Sequence, residues 1–192
     1  MMTAIAINFN PIIKFTDDQF YQLCRENPDI KFERNHKGEL LIMSPTGGET
    51  GKTNAEINAD FVIWNRQNKL GFCFDSSTCF KLPNGANLSP DVAWIKKERW
   101  EALTPEQREK FPPIAPDFVL ELMSPSDSLQ DARNKMQEYI NNGVKLAWLI
   151  NRKMRQVEIY RIDKSVEILT SPLELSGEDI LPGFILSLAI VW

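Results

Sequence analysis

The sequence is poor in metal-binding soft ligands. It holds one histidine and three cysteines in 192 residues. Structural zinc takes four Cys or His ligands at short spacings, so the lone His36 excludes such a site and reads as a solvent-facing residue of a turn. Cys24, Cys73 and Cys79 are odd in number and never spaced C-x-x-C. That excludes a disulfide framework and a zinc knuckle, and their apolar neighbours predict buried free thiols. No apolar run approaches the ~20 residues of a membrane span. The opening stretch, 1–15, has no basic segment leading into an apolar core, so no secretion leader is expected. A reducing cytoplasm is the expected compartment. A positive net charge is missing too: the formal charge is −4. Binding of nucleic acid through bulk charge alone is thereby excluded.

What is present is an ordinary globular composition, 43% hydrophobic and 25% charged, which argues against disorder. The length suits one sizeable core, and a single domain over 1–192 is expected, with a helical lead-in at 1–29 and an insertion at 96–116. Charge is unevenly spread. From Arg133 to Lys164 eight basic residues face three acidic ones, and from Val166 to Trp192 there are four acids and no base. A local basic face suits phosphate contacts, and equally suits a solvated strand pair.

Periodicity and punctuation give the elements. Thr16 with Gln19 predicts a capping box opening a helix that Asn27-Pro28 ends. Ile30–Asn35 and Glu39–Ser44 flank Gly38 as a hairpin. Ile57, Phe61 and Trp64 mark a helix from about Thr50 to Asn68, closed by Gly71. Strands follow at Phe72–Asp75, Thr78–Leu82 and Pro90–Ile95. Thr104-Pro105-Glu106-Gln107 opens a short helix inside the insertion. Asp117–Met123 is a strand, Ser128–Asn141 a helix with Gly143 past its end, and Leu146–Ile150 a central strand. Gln156–Arg161, Val166–Leu169 and Phe184–Trp192 add extended segments. The architecture is α/β: a mixed sheet with helices on both sides and a strand–helix–strand crossover.

Two carboxylates stand out within this pattern. Glu121 interrupts Phe118-Val119-Leu120-Glu121-Leu122-Met123, where alternation puts it on one face with Asp117, Val119 and Met123. A charge there requires a cation, or else a strand end that meets water or an arginine. Asp91 follows Pro90 and enters the apolar run Val92–Ile95, either as a turn residue or as a ligand. Lys135, on the helix after Glu121, completes a set suited to phosphoryl chemistry. Mg²⁺ takes one or two carboxylates plus water and substrate phosphate, and a lysine orients water and offsets charge. Alternatively, Lys135 is a surface lysine paired with Asp131.

The stretches SPTGGETGKTNAEI, DSSTCFKLPNGANLSPDVAWI, PDFVLELMSPSDS, KMQEYINNGVKLAWLIN, QVEIY and LPGF resemble the Uma family of bacterial restriction-type endonucleases, within the PD-(D/E)XK superfamily. The resemblance runs from about Ile30 to the end. It implies a restriction-endonuclease-like fold and a Mg²⁺-dependent endonuclease (with Mn²⁺ as substitute) that hydrolyses DNA. It implies metal ligands at Asp91, Glu121 and the main-chain carbonyl of Leu122, with Glu49 as a further candidate. In the superfamily pattern a lysine stands two residues after the second acid; Met123 occupies that place, and the resemblance implies a migrated catalytic Lys135. Lys52, Thr53 and Arg133 are the candidate substrate contacts. A homodimer is expected, because restriction-type enzymes cut two strands and the apolar Leu188–Trp192 tail suits an interface.

Two alternatives accompany this reading. One is a nuclease-fold protein that binds or assembles without cutting. The other is a P-loop NTPase, suggested by Thr46-Gly47-Gly48-Glu49-Thr50-Gly51-Lys52-Thr53. There the first glycine stands one residue too close to Gly51-Lys52-Thr53, and no convincing partner aspartate follows.

Overall fold

The computed structural model describes residues 4–10 and 12–192. The expectation of no secretion leader falls partly on residues outside that description.

Two sheets meet at the face where Glu121 stands. The smaller has the order β1-β3-β2-β6-β5. It comprises β1 (Ala4–Ile7), β2 (Lys31–Arg34), β3 (Leu40–Met43), β5 (Phe80–Lys81) and β6 (Asn87–Leu88). The β2–β3 hairpin turns through Gly38, whose φ of +84° suits glycine. The larger sheet has the order β11-β10-β9-β8-β7-β4. Its strands are β4 (Gly71–Asp75), β7 (Val92–Lys96), β8 (Phe118–Leu122), β9 (Leu146–Asn151), β10 (Gln156–Arg161) and β11 (Glu167–Thr170). Among the described strands only β8 and β9 run parallel. Their crossover helix is α5 (Leu129–Asn141), opened by Ser128, whose hydroxyl accepts from Asp131 N. Every residue of β9 is buried, as a central strand covered on both faces requires.

Alternation along β8 separates two cores. Phe118, Leu120 and Leu122 face α2 (Gly48–Asn68) through Ile57, Phe61 and Trp64. Val119 and Met123 face α5 through Met136 and Tyr139. Helices therefore lie on both sides of the sheet, as expected. The lead-in helix α1 (Asp17–Glu26) carries the expected capping box at Thr16 and Gln19. Arg34 ties it to β6, bonding Phe15 O at 2.7 Å and Asn87 Oδ1 at 2.6 Å and pairing with Asp17.

Several local expectations change. Gly71 does not close α2; Lys69 does, at φ +56°. Gly71 instead lies in β4, where an added Cβ would strike Ile95 O and the Trp94 ring. The insertion holds two short helices, α3 (Lys97–Glu101) and α4 (Pro105–Glu109), not one. Trp100, in α3, packs its ring 4.9 Å from that of Phe74 and 6.0 Å from that of Phe72. The C-terminal segment is not one strand. β12 (Glu174–Ser176) pairs with β13 (Ile185–Ser187), and a 3-10 turn follows at Leu188–Ile190. Leu186, Leu188 and Val191 are buried in this chain's own core, so the tail offered for a dimer is already covered. His36 is half-exposed and meets Glu138 at 3.0 Å.

Candidate nuclease centre

The site grows out of strand register. In the β7–β8 pair, Val92 stands opposite Leu120. One residue further along the same antiparallel register, Asp91 stands opposite Glu121. Both have the parity of the α5-facing residues Ala93 and Val119, so both acids point at α5. Asp91 is fixed by its Oδ2, which accepts from Leu122 N at 2.8 Å. Pro90 before it donates no hydrogen bond, and Asn58 of α2 donates to the Asp91 carbonyl at 3.2 Å.

α5 answers with residues one turn apart. Lys135 Nζ lies 2.9 Å from Glu121 Oε1, and the Tyr139 hydroxyl donates to the same oxygen at 3.0 Å. The alternative surface pair with Asp131 does not form. Lys135 instead reaches Glu33 Oε1 at 3.0 Å and the Ser89 carbonyl at 3.4 Å. Glu33, on β2, is 1% exposed and also accepts from Ser89 N at 2.9 Å. The smaller sheet thus contributes a carboxylate that holds both Lys135 and the segment carrying Asp91.

The charges do not balance. Glu33, Asp91 and Glu121 surround one lysine. Burial pushes the Glu121 carboxyl up to about 7; Lys135 opposes the rise, and Asp91 and Glu33 add to it. Burial raises Asp91 as well, against the Leu122 N–H and Lys135. Burial would lower Lys135, but Glu121 and Glu33 outweigh it and hold the ammonium well above its ordinary range. Lys135 therefore stays cationic near neutrality. That suits stabilising negative charge or orienting water, and does not suit a general base.

Among the described residues, no three His, Cys, Asp or Glu converge as a metal cluster. Two carboxylates can hold Mg²⁺ with waters and substrate, so the test is whether other hard oxygens are close. Asn54 of α2 meets it. Its amide flanks the Asp91 carboxylate, and its Oδ1 is buried without a partner. No protein hydrogen bond reaches Glu121 Oε2 among the described residues. An acceptor-rich, negatively overloaded recess of this kind fits a divalent cation.

The other predicted residues lie apart. Glu49 is exposed on the first turn of α2, and only its carbonyl is engaged, by Thr53 Oγ1 at 2.8 Å. Thr53 is buried and its hydroxyl is spent on that bond. Lys52 is exposed and 3.9 Å from Glu56. Arg133 grips Glu158 through Nε at 2.9 and 3.1 Å and Nη2 at 2.6 Å, tying α5 to β10. The glycine-rich stretch is helical from Gly48, leaving no loop to wrap a nucleotide phosphate. Glu33, Asn54 and Tyr139 were not singled out as site residues from sequence. Asn54 continues the Ile57, Phe61, Trp64 stripe one turn earlier, which was a usable sign.

Residues 17–189 match the model of the Uma2 family, described as "Putative restriction endonuclease". The chain belongs to this family. Among solved structures it is similar to "a putative nuclease belonging to DUF820 from Anabaena variabilis ATCC 29413". The TM-score is 0.75 at 19% identity, over 92% of this chain and 97% of that one. That likeness shows the shared fold, a mixed α/β nuclease-like sheet. A comparison with curated proteins gives no match. Uma2 membership makes the function nuclease-like, that of a hydrolase acting on nucleic acid.

Proposed function

We propose that this Uma2 protein is a divalent-metal-dependent endonuclease that hydrolyses DNA at the Asp91–Glu121–Lys135 centre. The observation that carries this reading is the set of three carboxylates around Lys135: Asp91 and Glu121 at the ends of β7 and β8, and the buried Glu33 of β2. Asp91 and Glu121 would hold Mg²⁺ or Mn²⁺, with the Leu122 carbonyl and Asn54 Oδ1 as further oxygens. Such an ion polarises the phosphate and makes water more acidic. Lys135, clamped by Glu33 and Glu121, presents a fixed positive charge where the attacking water and the phosphate meet. Tyr139 holds Glu121 Oε1 and leaves Oε2 for the ligand side. Glu49 is not needed for this set. Lys52 remains a substrate contact, whereas Arg133 is committed to Glu158.

The three thiols suit a reducing, cytoplasmic setting: burial pushes Cys24 up to about 11 and Cys73 and Cys79 up to about 12, which keeps them unreactive. No helix among the described residues is long and apolar enough to cross a membrane. One centre per chain makes a homodimer the economical way to cut both strands, and light scattering of the protein at twice 22.1 kDa checks it.

A second reading, a nuclease fold that binds without cutting, is favoured by Met123 at the usual lysine position. Supercoiled, linear and single-stranded DNA incubated with Mg²⁺ or Mn²⁺ separate the two. Nicking or linearisation by wild type and none by Asp91→Asn supports cleavage. Intact DNA in every lane with both ions rejects it.

A further inference from the structure

The basic run from Arg133 to Lys164 divides sharply once its partners are known. Arg133 is paired with Glu158, Lys135 with Glu33 and Glu121, Lys145 with Asp117, and Arg161 with Glu178 and Glu167. Arg152, Lys153, Arg155 and Lys164 have no acid within ion-pair distance among the described residues. Three of these four share the short turn between β9 and β10. Paired cations hold the fold together; unpaired ones clustered on one turn are available to an anion.

Position gives the cluster its meaning. Glu121 stands beside Leu149 in the parallel β8–β9 pair. Arg152 follows three residues later, about 10 Å further along the same sheet edge at the strand rise. Its Nη1 meets Thr50 Oγ1 on the first turn of α2 at 3.4 Å. Asn54, one turn on, flanks Asp91. The β9–β10 turn and the start of α2, with exposed Lys52, therefore rim the same end of the sheet as the acids. Lys164 lies on the β10–β11 turn. Because β10 runs antiparallel to β9, that turn is at the opposite edge.

The turn is also held in shape. Met154 N donates to Asn151 Oδ1 at 3.1 Å, and Arg155 N to the Arg152 carbonyl at 3.2 Å. Arg155 takes φ +49°, and its guanidinium lies 5.7 Å from the Trp192 ring. Lys153, Met154 and Arg155 are exposed. An ordered turn offering two guanidinium groups and an ammonium suits phosphate oxygens spaced along a backbone. Glu49, exposed on the first turn of α2, is the acid on that neighbouring helix turn.

We propose that Arg152, Lys153 and Arg155 form the phosphate-gripping rim that seats the nucleic-acid backbone of a DNA duplex beside the acidic centre. This rests on the nuclease reading above. It replaces Arg133 as the arginine contact and explains how a chain of net charge −4 docks a polyanion.

The test is fluorescence anisotropy with a labelled DNA duplex, a DNA single strand and an RNA duplex, in Ca²⁺, over a salt series. Wild type should prefer the DNA duplex. The triple variant Arg152→Ala/Lys153→Ala/Arg155→Ala should lose about thirty-fold or more in affinity. Its log–log salt slope should fall by about 2–3, near 0.9 per lost phosphate contact. Lys164→Ala should bind as wild type does. Lys153→Glu, an exposed single change that leaves the Arg155–Trp192 contact intact, should weaken binding in the same direction. Equal affinity and slope for wild type and triple variant overturn the rim and leave the nuclease reading standing. So does an equal loss in Lys164→Ala, which marks unspecific attraction, or a preference for RNA. No binding of any oligonucleotide by wild type overturns both.

Discussion

Strand β8 has a carboxylate near each end, and the two are opposites. At its start, Asp117 is 1% exposed and has more positive partners than it needs. Arg99 lies 2.8 Å away, Lys145 2.8 Å away, and Lys96 N donates at 2.9 Å. Burial would raise this carboxyl, but Lys145, the Lys96 N–H and Arg99 hold it below its usual range. Near its end, Glu121 shares one lysine with two other acids and is pushed up to about 7. A structural carboxylate is over-compensated; a carboxylate waiting on a ligand is under-compensated. The first joins the α3 insertion and the start of β9 to β8. The second leaves charge that a cation or substrate can answer.

The comparison breaks most visibly at Lys135. Lys135→Met strips the ammonium that pairs with Glu33 and Glu121, and at pH 8 it should cost about 3–5 kcal/mol, the usual penalty for breaking a buried pair. The loss should shrink towards pH 5 as carboxyls protonate. Urea titrations at both pH values read it. An equal, small loss at both would show that the lysine is not the counter-charge. Cleavage by this variant should also fall by at least a hundredfold.

Asp117→Asn should cost less, about 2–3 kcal/mol, because Arg99 and Lys145 are a third to a half exposed and can turn to water. Its sign with pH differs as well. A lowered carboxyl gives stability above its unfolded value of 3.8 and loses it only as pH falls through the lower folded value. The cost of Asp117→Asn should therefore be flat between pH 5 and 8, and DNA cleavage and Mn²⁺ affinity should not change. A pH-dependent cost in that window would remove the contrast.

How legible this was depended on each residue's setting. Glu121 and Asp91 were visible because each interrupts an apolar strand run, where charge is unexpected. Lys135 comes from the family resemblance, and its partners are not local: the alternative, Asp131 at i−4, is left aside, and the lysine turns inward to acids 14 and 102 positions away. Glu33 was hidden because Lys31-Phe32-Glu33-Arg34 alternates like any hairpin strand with a solvated face. Only the packing of the smaller sheet on the larger buries it. The same long-range pairing decided Arg133, which local charge counting could not separate from Arg152. Long periodic elements were clear from sequence. The two-residue strand β6 was not, and β5 keeps only the middle of the expected Thr78–Leu82 strand, because so short a pairing leaves almost no period to read.

The central claim is that the Glu121 end is a cation site created by charge excess. The most direct test is stability by urea denaturation from pH 4 to 8, with and without Mn²⁺, for wild type and Glu121→Gln. Glu121 is raised from 4.5 to about 7 in the fold. Its contribution is therefore fully present below the unfolded value and is lost as pH rises through the folded one. Metal-free wild type should lose at most about 3 kcal/mol between pH 4.5 and 7.5, and Mn²⁺ should restore it at the upper end. Glu121→Gln should show a flatter pH profile, be more stable than wild type at pH 8 without metal, and gain little from Mn²⁺. Matching pH profiles, with the same Mn²⁺ stabilisation in both proteins, would contradict the account.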